Sequence, residues 1–177
     1  RLQLDPVTVD TSDGQTWDGL ALQPKGADAR RRRLAVIVVH GSVGNYITGV
    51  PRRVAHGIAL EGFTVLSVNT RMANYGVFFG GGIFADTPRD LDAWVDLARR
   101  MGHPHIVLIG FSMGASIVTY YQATAQREEV VAVGRASGVH LPADAVAATV
   151  ALIDGMPAAA MTSMQRDFEA RRRTELD

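Results

Sequence analysis

HIVLIGFSMGASIV, residues 105–118, decides how the rest of the chain is read. His105 to Ile109 is a short apolar run of the kind that forms a buried strand. Gly110-Phe111-Ser112-Met113-Gly114 follows, and then a helix-compatible run from Ala115 to Gln126. Strand, tight turn and helix with a serine at the tip is the G-x-S-x-G pattern of a nucleophile elbow. The geometry explains the glycines. A serine held in a strained turn needs close neighbours without a Cβ, so Gly110 and Gly114 let strand and helix approach each other. Ser112 Oγ is then lifted clear of the sheet, beside the free N–H groups of a helix N-terminus. The same pentapeptide also fits a plain strand-to-helix turn; the flanking strand and helix are what make it specific.

Upstream of the elbow the pattern alternates. Residues 4–9 (LDPVTV) and 16–22 (TWDGLAL) flank Ser12-Asp13-Gly14, which predicts an N-terminal β-hairpin. Pro24 to Arg33 is polar and basic. Its run Arg30–Arg33 is either a nucleic-acid patch or a solvated loop guarding the next strand, and the lack of an adjoining basic cluster favours the loop. Leu34 to Val39 is continuously apolar and β-branched, as in a strand buried on both faces. Val50, Val54 and Ile58 recur at helical spacing, with Pro51 near the start and Gly62 past the end. Phe63 to Val68 predicts the next strand. Thr87 reads as an N-cap, with Pro88 at the first helical position and Asp90 three residues on. Leu91, Trp94, Val95 and Ala98 then share one apolar face. Val130 to Val133 predicts a fourth strand after the elbow helix.

A hairpin followed by βαβαβαβ predicts an α/β fold with a mostly parallel central sheet flanked by helices. The expected division is a core over 1–140 and an alanine-rich, then charged, helical cap or lid segment over 141–177.

Composition narrows the function classes. A chain of 177 residues can bury a substantial core. Its net charge is zero, so nothing global points to nucleic acid or an anionic membrane surface. All but one of the 18 Lys and Arg residues are arginine, the exception being Lys25; they are scattered and balanced by acids. With no cysteine, disulfides, thiol catalysis and Cys-ligated metals are excluded. The longest apolar run, Ala145 to Ile153, is too short to span a bilayer. No metal, nucleotide or flavin cofactor is expected: the histidines lie on separate elements and no G-x-G-x-x-G follows a strand. Gly80-Gly81-Gly82 lacks the Lys-Ser/Thr of a phosphate loop.

Sites in parallel sheets form at the carboxyl ends of strands, and two further stretches fall there besides Ser112. His40-Gly41-Ser42-Val43-Gly44 directly follows the first buried strand. A carbonyl oxygen that turns negative in a transition state needs two donors beside the nucleophile. The candidates are the backbone N–H of Met113 and that of Ser42, with Val43 as the alternative to Ser42. The other stretch is the loop 70–86, TRMANYGVFFGGGIFAD. Its aromatics Tyr75, Phe78, Phe79 and Phe84 either wall an apolar substrate cleft or fold back into the core.

VIVVHGSVGN, then FTVLSVNTR, then IVLIGFSMGAS, in this order and spacing, resembles the α/β-hydrolase superfamily. The resemblance covers roughly residues 5–140, about the first two-thirds of that fold. It implies a serine nucleophile at Ser112, oxyanion donors at Ser42 and Met113, and a Ser…Asp/Glu…His triad in chain order. It implies attack on esters, thioesters or amides. Serine at the elbow argues against dehalogenase and epoxide-hydrolase chemistry, where that position is usually Asp.

A serine hydroxyl is a poor nucleophile without a base. After Ser112 the chain has His140 alone, and the intervening acids, Glu128 and Glu129, precede the fourth strand at the wrong edge of the sheet. His103 and His105 are also at that edge, His56 falls on a helix, and His40 belongs to the oxyanion turn. His140 could serve as base only with an acid out of order, such as Asp144. The expectation is therefore an N-terminal piece of a longer hydrolase whose acid and histidine come from a second segment or chain. The expected function is a serine hydrolase of carboxylic esters or thioesters acting on a small-molecule acyl substrate. The alternatives are a non-catalytic binding module with this fold, or an acyltransferase with the same elbow. A cytoplasmic location is expected, or a secreted one if a leader preceded Arg1.

Overall fold

A computed structural model describes residues 1–26, 31–42, 44–74, 83–125 and 127–132 of the chain. Among these residues the strands are β1 (Leu2–Asp10), β2 (Thr16–Pro24), β3 (Leu34–Val39), β4 (Thr64–Val68), β5 (His105–Gly110) and β6 (Val130–Ala132). They form one sheet in the order β1-β2-β4-β3-β5-β6. β3 pairs in parallel with β4 and β5, and β5 with β6. The hairpin β1–β2 is antiparallel, and β2 joins β4 antiparallel, Gly19 opposite Val68 through Leu22 opposite Val65. The sheet is thus mixed rather than mostly parallel. The predicted hairpin does not stand apart; it extends the parallel strands by pairing on the free side of β4.

Burial follows the pleat. Ala35, Ile37 and Val39 of β3 face one core cluster with Leu66, Val68, Ile106 and Leu108. Val36 and Val38 face a second, smaller cluster with Val65 and Leu22. Both faces of β3 need a covering helix, and the continuous apolar run is the sequence record of that need. α1 (Gly49–Leu60) covers the smaller cluster; α2 (Thr87–Arg100) and α3 (Met113–Ala125) cover the larger.

α1 buries Pro51, Ala55 and Ala59, not the predicted Val50–Val54–Ile58 face. Val50 is exposed, while Val54 and Ile58 sit at the margin of the cluster. The two stripes are one residue apart, and the small side chains let the helix lie close against β3 and β4. Gly62 has φ +93° and closes the helix, its N–H donating to the Ala59 carbonyl at 3.0 Å.

α2 buries Leu91, Trp94, Val95 and Ala98, as the pattern predicts. Its start differs. Thr87 is already helical, and its hydroxyl donates to the Phe84 carbonyl at 2.7 Å instead of capping the helix. Asp90 is not a capping acid. Its fully buried carboxylate accepts from the Arg71 side chain, from the Arg71 N–H and from Trp17 Nε1. Arg71 also reaches Asp13 at the tip of the hairpin turn, so three remote segments meet on one guanidinium. That guanidinium holds the Asp13 carboxyl well below the usual carboxylate range, with help from Thr11.

Arg31–Arg33 is a solvated turn, with the Arg31 guanidinium 5.6 Å over the Phe63 ring. The predicted boundary at 140 and the helical segment 141–177 lie outside the described residues.

Candidate functional site

The elbow is set by contacts between backbones. Ser112 has φ +53°, a left-handed conformation that costs an L residue about 1–2 kcal/mol. The turn around it is too tight for side chains. A Cβ on Gly110 would lie 2.1 Å from the Gly114 carbonyl oxygen, and one on Gly114 would lie 2.4 Å from the His40 carbonyl oxygen. Both positions therefore admit only glycine. The Phe111 N–H donates to the Val39 carbonyl at 3.0 Å, which ties the end of β5 to the end of β3. The N–H groups of Gly114 and Ala115 donate to Phe111 and Ser112 at 2.8 and 2.9 Å, so α3 begins at the elbow. Ser112 is exposed at the tip, and Met113, the first residue of α3, is half-buried.

The turn after β3 lies against this elbow. A Cβ on Gly41 would sit 2.9 Å from Ser112 Cβ and 3.1 Å from the Phe111 carbonyl oxygen. Gly41 thus brings the start of the Gly41-Ser42 peptide to the serine. Ser42 is half-buried there; Val43 lies outside the described residues. The His40 ring is fully buried and turned toward the loop after β4, with Nδ1 2.7 Å from the Gly41 oxygen and Nε2 accepting from the Thr70 N–H at 3.2 Å. Burial pulls its pKa down, against the opposing pull of the Gly41 hydrogen bond. With both nitrogens engaged, His40 is a structural histidine.

Sequence reading passed over the clasp between the loops after β3 and β4. The Asn74 N–H donates to the Gly44 carbonyl at 3.0 Å, and Asn45 Nδ2 donates to Asn74 Oδ1 at 3.0 Å. Asn69 Oδ1 accepts from the Tyr46 N–H at 3.0 Å, and the Ser67 hydroxyl donates to the Tyr46 carbonyl at 2.7 Å. Asn69 Nδ2 in turn donates to Asp18 on β2 at 2.8 Å. The only local signal was Asn-Thr-Arg at the carboxyl end of an apolar strand.

The remaining candidates are dispersed. His56 is exposed on α1, where it lines an open cavity of about 640 Å³ with Arg52 and Arg53. His103 is buried with Nδ1 2.8 Å from the Arg32 carbonyl oxygen, and His105 opens β5 at the edge opposite Ser112. Glu129 is bound to Arg99 and Arg127 at that same far edge, where its carbonyl accepts from the Ile106 N–H. Phe84 packs on the core and meets the Tyr120 ring at 5.5 Å. Of the two readings for that aromatic, the core one holds. Tyr75, Phe78, Phe79, His140 and Asp144 lie outside the described residues. Among the described residues no group of three or more His, Asp and Glu side chains could hold a metal, and no helix is long and apolar enough to cross a membrane.

Comparison with solved structures shows the fold. The chain is similar to an esterase of Pyrococcus furiosus at 22% identity and TM-score 0.59, over 73% of this chain and 48% of that one. It is similar to brefeldin A esterase, a bacterial homologue of human hormone-sensitive lipase, at 23% identity and TM-score 0.59, over 78% of this chain and 38% of the other. It is similar to an α/β hydrolase from a Penicillium species at 19% identity and TM-score 0.58, over 74% and 45%. The described residues therefore carry part of an α/β-hydrolase-like fold, and the chain spans about half the length of these structures or less. The family model for the ketopantoate reductase PanE/ApbA C-terminal domain matches residues 112–177. That match begins at the elbow serine and takes in β6, a strand of this sheet, and α3, which packs on it; it covers less than half of the chain. No curated protein matches.

Proposed function

We propose that this chain is part of a serine hydrolase that cleaves carboxylic esters or thioesters through an acyl-enzyme on Ser112. The observation that carries the reading is the left-handed Ser112 between two glycines that no other residue could replace. Strain of this kind is kept where the surrounding structure over-determines it, and an exposed serine at the head of a helix gives it a use.

In this reading Ser112 Oγ attacks the acyl carbon and its proton passes to a histidine. The carbonyl oxygen becomes an oxyanion held by the N–H groups of Ser42 and Met113. The leaving alcohol or thiol takes the proton from the histidine as the acyl–oxygen or acyl–sulfur bond breaks. Water then attacks the acyl-enzyme by the same route and restores Ser112. The described histidines are engaged or remote, so the base and its carboxylate come from beyond them, from a further segment or a second chain that docks at the β6 side of the sheet.

The test is labelling of the intact protein by a serine-directed phosphonate, mapped by peptide mass spectrometry. Ser112 is the expected site, and Ser112→Ala loses the label together with roughly 10³-fold or more of the esterase rate. Labelling at another residue, or an active preparation that takes no label, overturns the reading.

A further inference from the structure

The buried His40 ring sits between the loop after β4 and the peptide that carries a candidate oxyanion donor. We propose that His40 is a positioning residue: its Nδ1–H holds the Gly41 carbonyl and thereby aims the Ser42 N–H at the oxyanion formed on Ser112. The inference rests on the serine-hydrolase reading above and adds to it a residue that touches neither substrate nor nucleophile.

The tautomer follows from the partners. Nε2 faces the Thr70 N–H at 3.2 Å, and a backbone N–H can only donate. Nε2 is therefore the bare nitrogen, and the proton sits on Nδ1, 2.7 Å from the Gly41 oxygen. The Thr70 hydroxyl, 3.1 Å from Nε2, donates to it as well. Thr70 is itself fixed, because its carbonyl accepts from the Ala73 N–H at 2.8 Å. The ring is thus held at its far side and acts on the near one.

The action on Ser42 is a property of the peptide unit. The Gly41–Ser42 bond is trans and planar, so the Gly41 C=O and the Ser42 N–H point in opposite directions. Fixing the oxygen fixes the N–H. The oxygen has a second donor in the Gly44 N–H, at 3.2 Å. Gly41 Cα lies so close to the elbow that an added Cβ would meet Ser112 Cβ at 2.9 Å, so the aimed group is beside the serine. Loss of a whole oxyanion donor costs about 10²–10³ in rate, and a misaimed donor a part of that.

Two substitutions separate positioning from packing. His40→Asn keeps an amide N–H where Nδ1 stands but cannot reach Thr70. His40→Gln reaches Thr70 but offers Gly41 nothing. Both shorten or thin the ring and leave comparable voids. In the intact protein, the phosphonate labelling rate at Ser112 should fall about tenfold or more in His40→Gln, with the loss in kcat rather than KM for an activated ester. His40→Asn should recover most of that loss. Equal rates in the two variants, whether both high or both low, overturn the proposal. Failure of the unmutated protein to label at Ser112 removes the hydrolase reading and this proposal with it; labelling that is indifferent to position 40 removes this proposal alone. A measurement without substitution stands beside these: the ¹⁵N spectrum of His40 should show the Nδ1–H tautomer, and an Nε2–H tautomer overturns the assignment.

Discussion

The Arg71 guanidinium and the Asp90 carboxylate face each other as a buried fork, Nη2 to Oδ1 at 2.8 Å and Nε to Oδ2 at 3.1 Å, while the Arg71 backbone N–H reaches the same carboxylate at 2.9 Å. Asp90 is wholly buried and the Arg71 side chain is 7% exposed. The pair joins the first turn of α2 to the loop after β4, which clasps the turn after β3. The fold thus locks that loop to its scaffold by charge as well as by packing.

Breaking that fork from one side should be severe. Arg71→Met leaves Asp90 buried with only Trp17 and a backbone N–H as donors. The expected loss is about 3–5 kcal/mol of unfolding free energy, because the desolvated carboxylate keeps its cost and loses its partner. Urea titration of Arg71→Met, Asp90→Asn and the double variant checks it. The double variant should lose less than the sum of the singles; simple additivity would mean that the fork contributes no coupling.

Gly114→Ala and Gly110→Ala should each open the elbow. The added methyl would lie 2.4 Å from the His40 oxygen in the first and 2.1 Å from the Gly114 oxygen in the second. The obstacles are backbone atoms, which cannot turn aside as a side chain would, so the cost should reach or exceed the roughly 1–3 kcal/mol of ordinary overpacking. Any protein that still folds should fail to label at Ser112. A Gly114→Ala variant with unchanged urea midpoint and unchanged labelling would show that the strand and helix are further apart than described.

What could be read from the sequence is what local pattern records. β3 and β4 are buried on both faces and β5 is buried on one face and half-buried along most of the other, and such burial writes continuous apolar runs. The elbow glycines were legible because sterics exclude every other residue. The hairpin was legible too, but not its partner: nothing local says that β2 pairs with β4, and that single pairing makes the sheet mixed. Gly19 hints at it in retrospect, since a Cβ there would meet the Ser67 oxygen and Trp94 at 2.8 Å. In α1 the larger valines suggested one stripe and the close-packed alanines won. Asp90 matched a capping pattern, yet its partners are 19 and 73 residues away in the chain, beyond any local rule. His40 read as part of a turn; only the fold brings Thr70 to its ring.

Stability should fall as the solution is acidified from pH 7 toward pH 5. Burial pulls the pKa of both His40 and His103 below the usual histidine value of 6.5 in the folded state, partly opposed by the hydrogen bonds to Gly41 and Arg32. Above the unfolded value, both states are neutral and the full contribution is present. As pH falls below it, the unfolded chain takes up protons that the folded one refuses, so stability is lost until the folded pKa is passed. The limiting slope is about 1.4 kcal/mol per pH unit for each histidine. Urea unfolding at pH 7.5, 6.5, 5.5 and 5.0 checks it, with His103→Asn expected to flatten the dependence. A flat profile for the unmutated chain would count against neutral, buried imidazoles.

Ser112→Gly should separate the strain of the elbow from its chemistry. Relief of the left-handed conformation returns about 1–2 kcal/mol, and the greater freedom of glycine in the unfolded chain takes back about 0.5–1. The net expectation is an unfolding free energy equal to the unmutated protein's or up to about 1.5 kcal/mol higher. Ser112→Ala keeps a Cβ at φ +53° and gains no such relief. Both variants should lose phosphonate labelling, since neither has the hydroxyl. Urea midpoints measured side by side decide the matter: Ser112→Gly at or above the parent, with Ser112→Ala below Ser112→Gly, is the signature of a residue kept in place against the stability of the fold. A Ser112→Gly variant that is less stable than Ser112→Ala would mean that the serine backbone is not strained and that the hydroxyl or its Cβ holds the turn together.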